Sequence, residues 1–297
     1  MFTKTRFGGN QLAVLPEAQG LSEDEMRSIT REFNFSETTF VLPPESGDSD
    51  AKVRIFTPDR EVPFAGHPNI GTAHVLTMIG FPGSNGKTER TLRFKEQAGI
   101  VAVRVRLQHG KPVYCELTAP QALELGPALD GTTDVHDLAH AISLAPEDIL
   151  TGSHYPRLAS VGLPFLIAEL RDRTALSRCQ VRTENWRDFT VRSGCDAIHV
   201  YTRDTGEDAV DVRCRMFATL GAVREDPATG SANCALAGLL ATLEEEPGGT
   251  FDYRIVQGVE MGRPSALAAS VDKRDGEITA VRIGGASVPV SEGFIEV

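Results

Sequence analysis

The chain is short of positive charge. It carries 30 lysines and arginines against 41 aspartates and glutamates, a formal net charge of −11. Nucleic acids and anionic membrane surfaces are bound by basic faces, so neither is expected as a partner. A small anion stays open, because a site can be locally positive on an acidic protein. Cysteine is scarce too: Cys115, Cys179, Cys195, Cys214 and Cys234 are odd in number, well separated and form no CxxC pair. That argues against a disulfide framework and for a reducing compartment. No run approaches the ~18 apolar residues of a membrane span. The opening stretch MFTKTRFGGNQLAVLP has no apolar core of signal-peptide length. The expected location is the cytoplasm. Phosphate-binding signatures are also missing. There is no GxGxxG, and the nearest approach to GxxxxGK[ST], from Gly80 to Gly86-Lys87-Thr88, has five intervening residues instead of four. A nucleotide cofactor therefore has no support, and Asn85-Gly86 reads as a turn.

What is present fits a soluble globular chain of 297 residues, 41% hydrophobic, long enough for two domains. LSEDEMRSITREF (21–33) reads as an amphipathic helix, with Ser22 and Glu25 as a capping box and Leu21 and Met26 as a hydrophobic staple. SETTFVLPP and AKVRIFTP (51–58) read as strands. TLRFKEQAGIVAVRVRLQHGKPVYCEL (91–117) alternates as two or three antiparallel strands. FLIAEL, AIHVYT, VDVRCRMFA, ASVDKRDGEITAVRIGG and VPVSEGFIEV add further strands. Strands outnumber helices and follow one another as hairpins and meanders, which favours an α+β fold over parallel βαβ units.

The chain also repeats itself. VRIFT (53–57) precedes a turn and AGHPNIGTAHVLTMIG (65–80); CRMFA (214–218) precedes a turn and PATGSANCALAGLLATL (227–243). Phe56 to His67 and Phe217 to Ala228 are both 11 residues. A glycine-containing strand leads each block, FGGNQLAVL (7–15) and VGLPFLIAEL (161–170). Two duplicated domains are expected, about 1–120 and 121–297, with a strand from 280–297 able to cross back to the first. The join falls within roughly 118–155.

Both repeated helices are apolar nearly all round, as befits a buried helix. Their leading N–H groups still need acceptors, and the helix dipole adds partial positive charge there. Elbows rich in glycine and small residues leave those donors open to a carboxylate or a developing oxyanion. Plain capping by Thr229 or Ser231 is the alternative. Glu37 in FNFSETTFV is the third polar singularity. Among apolar neighbours its pKa would rise toward the range where it both gives and takes protons; the residues alone favour an exposed strand-edge glutamate. His67 is a donor to an anion or a helix cap, and His74 a satisfied core or interface histidine. His136 and His140 in HDLAH imitate a zinc motif, but aspartate misplaces the base and no third ligand is evident. A surface helix is the simpler account. Cys234 reads as a small core residue.

NFSETTFV, RIFTPDREVPFAGHPNIGTA, EDPATGSAN and QGVEMGRPS, in this order across nearly the whole chain, resemble the PhzF-type phenazine-biosynthesis family of isomerases. The resemblance implies a diaminopimelate-epimerase-like fold. It has two pseudo-symmetric domains, each a curled, mostly antiparallel sheet around a central helix, with the active site between them. It also implies a homodimer without cofactor or metal. Glu37 matches the family's proton-shuttling acid/base. His67 matches a residue that orients the substrate or assists proton transfer, and Asp226 and Ser231 match a facing substrate-binding pair. Gly66, Gly71 and Gly230 would shape the elbows. Epimerase cousins use two thiols, one per elbow, and this chain has none there. Family members usually carry several residues of strand ahead of the F…GN segment. Here Met1-Phe2-Thr3 falls inside that strand, so either the start is displaced or that edge strand is short. The expected activity is cofactor-independent proton transfer on a small anionic or zwitterionic acid; an amino-acid-type epimerase or a non-catalytic acid-binding protein of the same fold is the competitor.

Overall fold

The computed structural model describes residues 1–81, 88–194, 196–218 and 225–297; the Asn85-Gly86 turn and Cys195 lie outside them. The chain divides into two compact units, Met1–Thr118 with Gly284–Val297, and Ala119–Ile283.

The first unit runs β1 (Ala13–Leu15), α1 (Glu23–Phe33), β2 (Thr38–Leu42), β3 (Ala51–Phe56), β4 (Glu61–Val62), α2 (Gly66–Met78), β5 (Glu89–Glu96), β6 (Gly99–Gln108) and β7 (Lys111–Thr118). β1 lies parallel to β2, β2 antiparallel to β3, β3 parallel to β5, and β5, β6 and β7 form an antiparallel meander. Along β6, buried Val101, Val103 and Val105 alternate with exposed Ala102, Arg104 and Arg106. One face of the sheet is therefore core and the other solvent. The core face holds α2, in which every residue but Val75 and Met78 is buried. α2 touches β1 and β2 at one end of the sheet and β6 and β7 at the other. A flat sheet cannot do that, so the strands curl round the helix. α1 begins at the expected capping box: Glu25 N donates to Ser22 Oγ at 3.3 Å, and Ser22 N to Glu25 Oε2 at 2.7 Å. Its Met26 and Ile29 pack with Leu21, Phe40 and Phe56.

The second unit runs β8 (Glu124–Ala128), α3 (Thr132–Ala141), β9 (Ile149–Leu150), β10 (Arg157–Ser160), β11 (Pro164–Leu170), α4 (Arg173–Arg178), α5 (Thr183–Ser193), β12 (Ala197–Thr202), β13 (Val212–Ala218), β14 (Glu225–Asp226), α6 (Gly230–Thr242), β15 (Gly249–Gln257), β16 (Ser265–Arg274) and β17 (Glu277–Gly285), whose last two residues belong to the first unit. β11 lies parallel to β12, β12 antiparallel to β13, β13 parallel to β15, and β15 antiparallel to β16. This repeats the pairing of the first unit. α6 occupies the core face against β10, β11, β15 and β16, with only Ser231 and Thr242 not buried. On the other face, Leu138, Leu176, Trp186 and Phe189 from the three outer helices pack on Leu166, Ile198 and Val200.

Strand registers fix how the two copies match. Phe56 pairs with Glu61, and Phe217 with Glu225. Arg54 forks onto Glu61 at 2.6 and 2.8 Å and lies 5.0 Å from the Phe56 ring. Arg215 forks onto Glu225 at 2.7 and 3.0 Å and lies 4.7 Å from the Phe217 ring. EVPFAGHPN (61–69) therefore corresponds to EDPATGSAN (225–233). The equal 11-residue spacing in the sequence sets His67 against Ala228. The structure sets it against Ser231, because the paired Phe217 and Glu225 are three positions further apart in sequence than the paired Phe56 and Glu61. Two strand readings shrink. In FGGNQLAVL only Ala13–Leu15 is strand, since Phe7 and Gly9 both take φ of +69° and break the extended run. VPVSEGFIEV forms no strand: Ala286 O accepts from Thr3 N at 2.9 Å, and no ladder follows.

Replacing Ser22 by alanine removes a cap from a helix whose apolar face is core. It should lower unfolding free energy by about 1 kcal/mol, read as a lower urea midpoint at unchanged slope.

Candidate functional site

The chain caps α1 and α4 with side chains, through Ser22 and Asp172. It does not do so at α2 or α6, whose N-cap residues Ala65 and Thr229 make no side-chain capping bond. The leading N–H groups of the two buried helices are thus left without the acceptor a cap would supply.

In the first unit, Gly66 and His67 open α2, and Glu37 stands just before β2. Glu37 Oε2 lies 3.4 Å from His67 Nε2, with the side chains 18% and 5% exposed. The exposed strand-edge reading of Glu37 does not describe this residue. Burial, aided by the charged chain terminus, pushes His67 down to about 3; a bond to the Gln11 backbone opposes the shift. The imidazole is therefore neutral at pH 7. Nε2 has no other bond among the described residues, so by elimination Nδ1 carries the hydrogen given to Gln11, and Nε2 presents its lone pair to Glu37. Gly71 lies one turn further in, where a Cβ would collide with Leu12 Cδ2. Its lack of a side chain makes room for Leu12 and Met1 against α2. His74, read as a satisfied core or interface histidine, is buried but neither ring nitrogen has a partner among the described residues, and burial holds it down at about 4.

In the second unit, Asp226 is buried and Ser231 is half-buried in the first turn of α6. The Thr229 hydroxyl, free of capping duty, donates to Asp226 Oδ2 at 2.5 Å. Beneath lies a braced network that the sequence reading missed. Gln257 Oε1 accepts from Thr229 N at 3.1 Å and Asn233 Nδ2 at 2.7 Å, while Gln257 Nε2 donates to Asp226 O at 2.7 Å. Asn233 Nδ2 also donates to Thr229 O at 2.9 Å. Its Oδ1 lies 3.2 Å from His199 Nε2 and accepts from Cys214 Sγ at 3.3 Å. Gln257, Asn233 and His199 are fully buried. Gly258, at φ +76°, keeps this strand end close: a Cβ there would come 2.6 Å from Pro227 O. The clue was an amide inside an otherwise apolar helix and another ending a strand, both within motifs already singled out.

The four described cysteines are buried, and burial pushes Cys115 and Cys179 up to about 12. None stands in an elbow. His136 and His140 are exposed on α3, and among the described residues no group of three or more His, Cys, Asp or Glu side chains could hold a metal. No helix among the described residues is long and apolar enough to cross a membrane.

Comparison with known proteins places these features. Residues 1–293 match the family described as phenazine biosynthesis-like protein. The chain belongs to this PhzF family. An uncharacterized isomerase of Mesorhizobium japonicum is 35% identical over 99% of this chain and 95% of its own length. The trans-2,3-dihydro-3-hydroxyanthranilate isomerase of Pseudomonas fluorescens is 34% identical, covering 99% and 96%. The crystal structure of a Bacillus anthracis PhzF-family protein superposes with a TM-score of 0.88 at 24% identity, over 100% of this chain and 96% of the other. The curled-sheet fold is the one this family shares, and the chain is an isomerase of the PhzF family.

Two outcomes follow. Gln257→Leu strands the Thr229 N–H and the Asn233 amide in the core. It should cost roughly 2–4 kcal/mol in urea unfolding, as loss of a buried bond to several groups does. Burial lowers the pKa of His67 to about 3, and of His74 and His199 to about 4. Each lowered histidine stabilises fully above its unfolded value near 6.5, and that stability is lost as pH falls toward the folded value. Unfolding free energy at pH 5 should therefore fall below that at pH 7 by roughly 1–2 kcal/mol for each of the three.

Proposed function

We propose that this protein isomerises a small carboxylic acid by moving one proton between two of its carbons, with Glu37 as the acid/base and no cofactor. The observation that carries this reading is the 3.4 Å approach of Glu37 Oε2 to His67 Nε2 beside the uncapped start of α2. A carboxylate that takes a proton from carbon must hold it without losing it to water. His67 offers a lone pair, so a protonated Glu37 can donate to it. Burial makes His67 too weak a base to keep the proton. The proton stays shared at Glu37 and is returned to a second carbon. The N–H groups opening α2 stabilise negative charge that develops on the substrate.

The elbow of the second unit, taken by itself, carries groups suited to binding an acid. Its uncapped N–H groups suit a carboxylate, and the Asp226 carboxylate suits an amino or hydroxyl group. The named relative in Pseudomonas fluorescens acts on a cyclic amino-hydroxy acid, a skeleton these groups would hold. A substrate of that class, a small unsaturated acid with an amino or hydroxyl substituent, fits the arrangement.

The test is proton exchange. Wild type, incubated with candidate acids in deuterated water, should move the double bond while retaining part of the original hydrogen. Glu37→Gln should bind the same acids with turnover lowered about 10²–10⁴-fold. Full wash-in of deuterium with inversion at a single carbon would point to an epimerase instead. A Glu37→Gln variant as fast as wild type would remove Glu37 from the chemistry.

A further inference from the structure

Glu96 closes β5 and is 5% exposed, yet among the described residues neither carboxyl oxygen has a hydrogen-bond partner of standard geometry. A bare carboxylate is costly in such a place. The internal repeat shows what it stands for. β5 pairs with β3 through Ala51↔Phe94 and Lys52↔Lys95, and β15 pairs with β13 through Val212↔Ile255, Arg213↔Val256 and Cys214↔Gln257. With Phe56 matched to Phe217 by the hairpin registers, Glu96 falls on Gln257. Each is the last residue of its strand, and each neighbours the asparagine four positions after its helix's N-cap, Asn69 or Asn233. Each asparagine donates to its N-cap carbonyl at 2.9 Å.

Gln257 works with two faces. Its oxygen accepts from Thr229 N and Asn233, and its nitrogen donates to Asp226 O. An ionised carboxyl has only the accepting face, whereas a protonated one has both. We propose that Glu96 is a neutral carboxylic acid that braces the start of α2 as Gln257 braces α6, accepting from Asn69 and donating its proton to the main-chain carbonyl of Val62. Val62 holds the repeat position of Asp226. Glu96 is then a positioning residue for His67, a role that rests on reading the first elbow as catalytic.

The surroundings favour the neutral form. Burial pushes the Glu96 carboxyl up to about 8, and Asn69 pulls modestly the other way. On its own strand, Arg93 and Lys95 alternate with buried Leu92, Phe94 and Glu96, and so lie on the opposite face. The same alternation turns Lys52 and Arg54 on β3, and Arg104 and Arg106 on β6, away from buried Val53, Val101 and Val103. Arg54 is held by Glu61 and Glu23, and Arg104 by Glu116 and Glu89. His67 and His74 on α2 are held neutral by burial. On β7, burial pushes Cys115 and Tyr114 up to about 12, and Glu116 is engaged by Arg104.

The sign of the pH effect follows from the raised folded pKa. The unfolded carboxyl ionises near 4.5 and the folded one near 8. Stability is lost as pH rises between these values and levels off above the upper one, where the native brace itself ionises. Wild type, Glu96→Gln and Glu96→Ala are to be compared by urea unfolding from pH 5 to 9.5, and by proton exchange on any acid turned over. Glu96→Gln should fold and keep wild-type exchange at pH 7. Its folding constant relative to wild type should grow by up to about tenfold per pH unit from about 5 to 8 and then stay level. Wild-type exchange should decline above pH 8 while that of Glu96→Gln holds, and Glu96→Ala should lower kcat at every pH. Parallel stability curves for wild type and Glu96→Gln, or a Glu96→Gln as damaged as Glu96→Ala at pH 6.5, would overturn the brace. The unfolding comparison needs no substrate. If its curves diverge as stated while Glu37→Gln exchanges normally, the brace stands and the catalytic reading falls.

Discussion

A helix with no polar side must be wrapped on all sides, and that constraint organises each unit of this protein. α2 and α6 bury nearly every residue. A sheet facing one of them has to curl until strands from both its ends touch the helix. Curling satisfies the helix's flanks and leaves its ends. At the N-terminal end several backbone donors remain, and a serine or aspartate cap would normally take them. This chain puts such caps on α1 and α4 and omits them at the two buried helices. At both buried helices the N-cap side chain leaves those donors alone, and the helix behind them is packed on nearly every side.

Holding an uncapped helix start in place requires other bonds, and the two units use the same ones. An arginine–glutamate fork ties the strand before the elbow to the elbow itself, Arg54 to Glu61 and Arg215 to Glu225. The arginine in each case covers the phenylalanine two residues on. An asparagine then locks the N-cap carbonyl, Asn69 on Ala65 and Asn233 on Thr229. On this shared frame the variable positions carry different chemistry. The first elbow has His67, with Val62 and Ala65 behind it. The second has Ser231, with Asp226 and Thr229 behind it. One frame thus presents a lone-pair nitrogen beside a glutamate, and the other the Thr229 hydroxyl bonded to the Asp226 carboxylate.

Much of this was legible in the sequence because it depends on local pattern. The Ser22–Glu25 box, the alternation of β5 to β7 and the all-round apolarity of α2 and α6 are short-range signals, and each element stands where the pattern put it. The elbows could be singled out because glycine and polar residues before an apolar helix are conspicuous. The braces could not. Gln257 and Asn233 are 24 residues apart, and nothing in either stretch reveals that strand register brings them together. The repeat was visible, but its alignment slipped by three residues, since equal spacing in sequence ignores a longer hairpin. The C-terminal VPVSEGFIEV alternates like a strand, yet a strand exists only where a neighbouring edge accepts its ladder.

Proton inventory links the frame to the chemistry. His67 sits within reach of Glu37 and is buried enough to stay neutral at pH 7. Had it been charged, it would have drawn the glutamate into an ion pair and weakened it as a base. Neutral, with its one hydrogen turned to Gln11, it offers Glu37 a lone pair and no proton. Such a partner makes no demand while Glu37 is ionised and becomes a hydrogen-bond acceptor as soon as Glu37 is protonated. In the proton transfer proposed above, such a partner steadies the protonated glutamate more than the ionised one. His67 is carried on the first turn of α2, and the bond from Asn69 to the Ala65 carbonyl is what holds that turn.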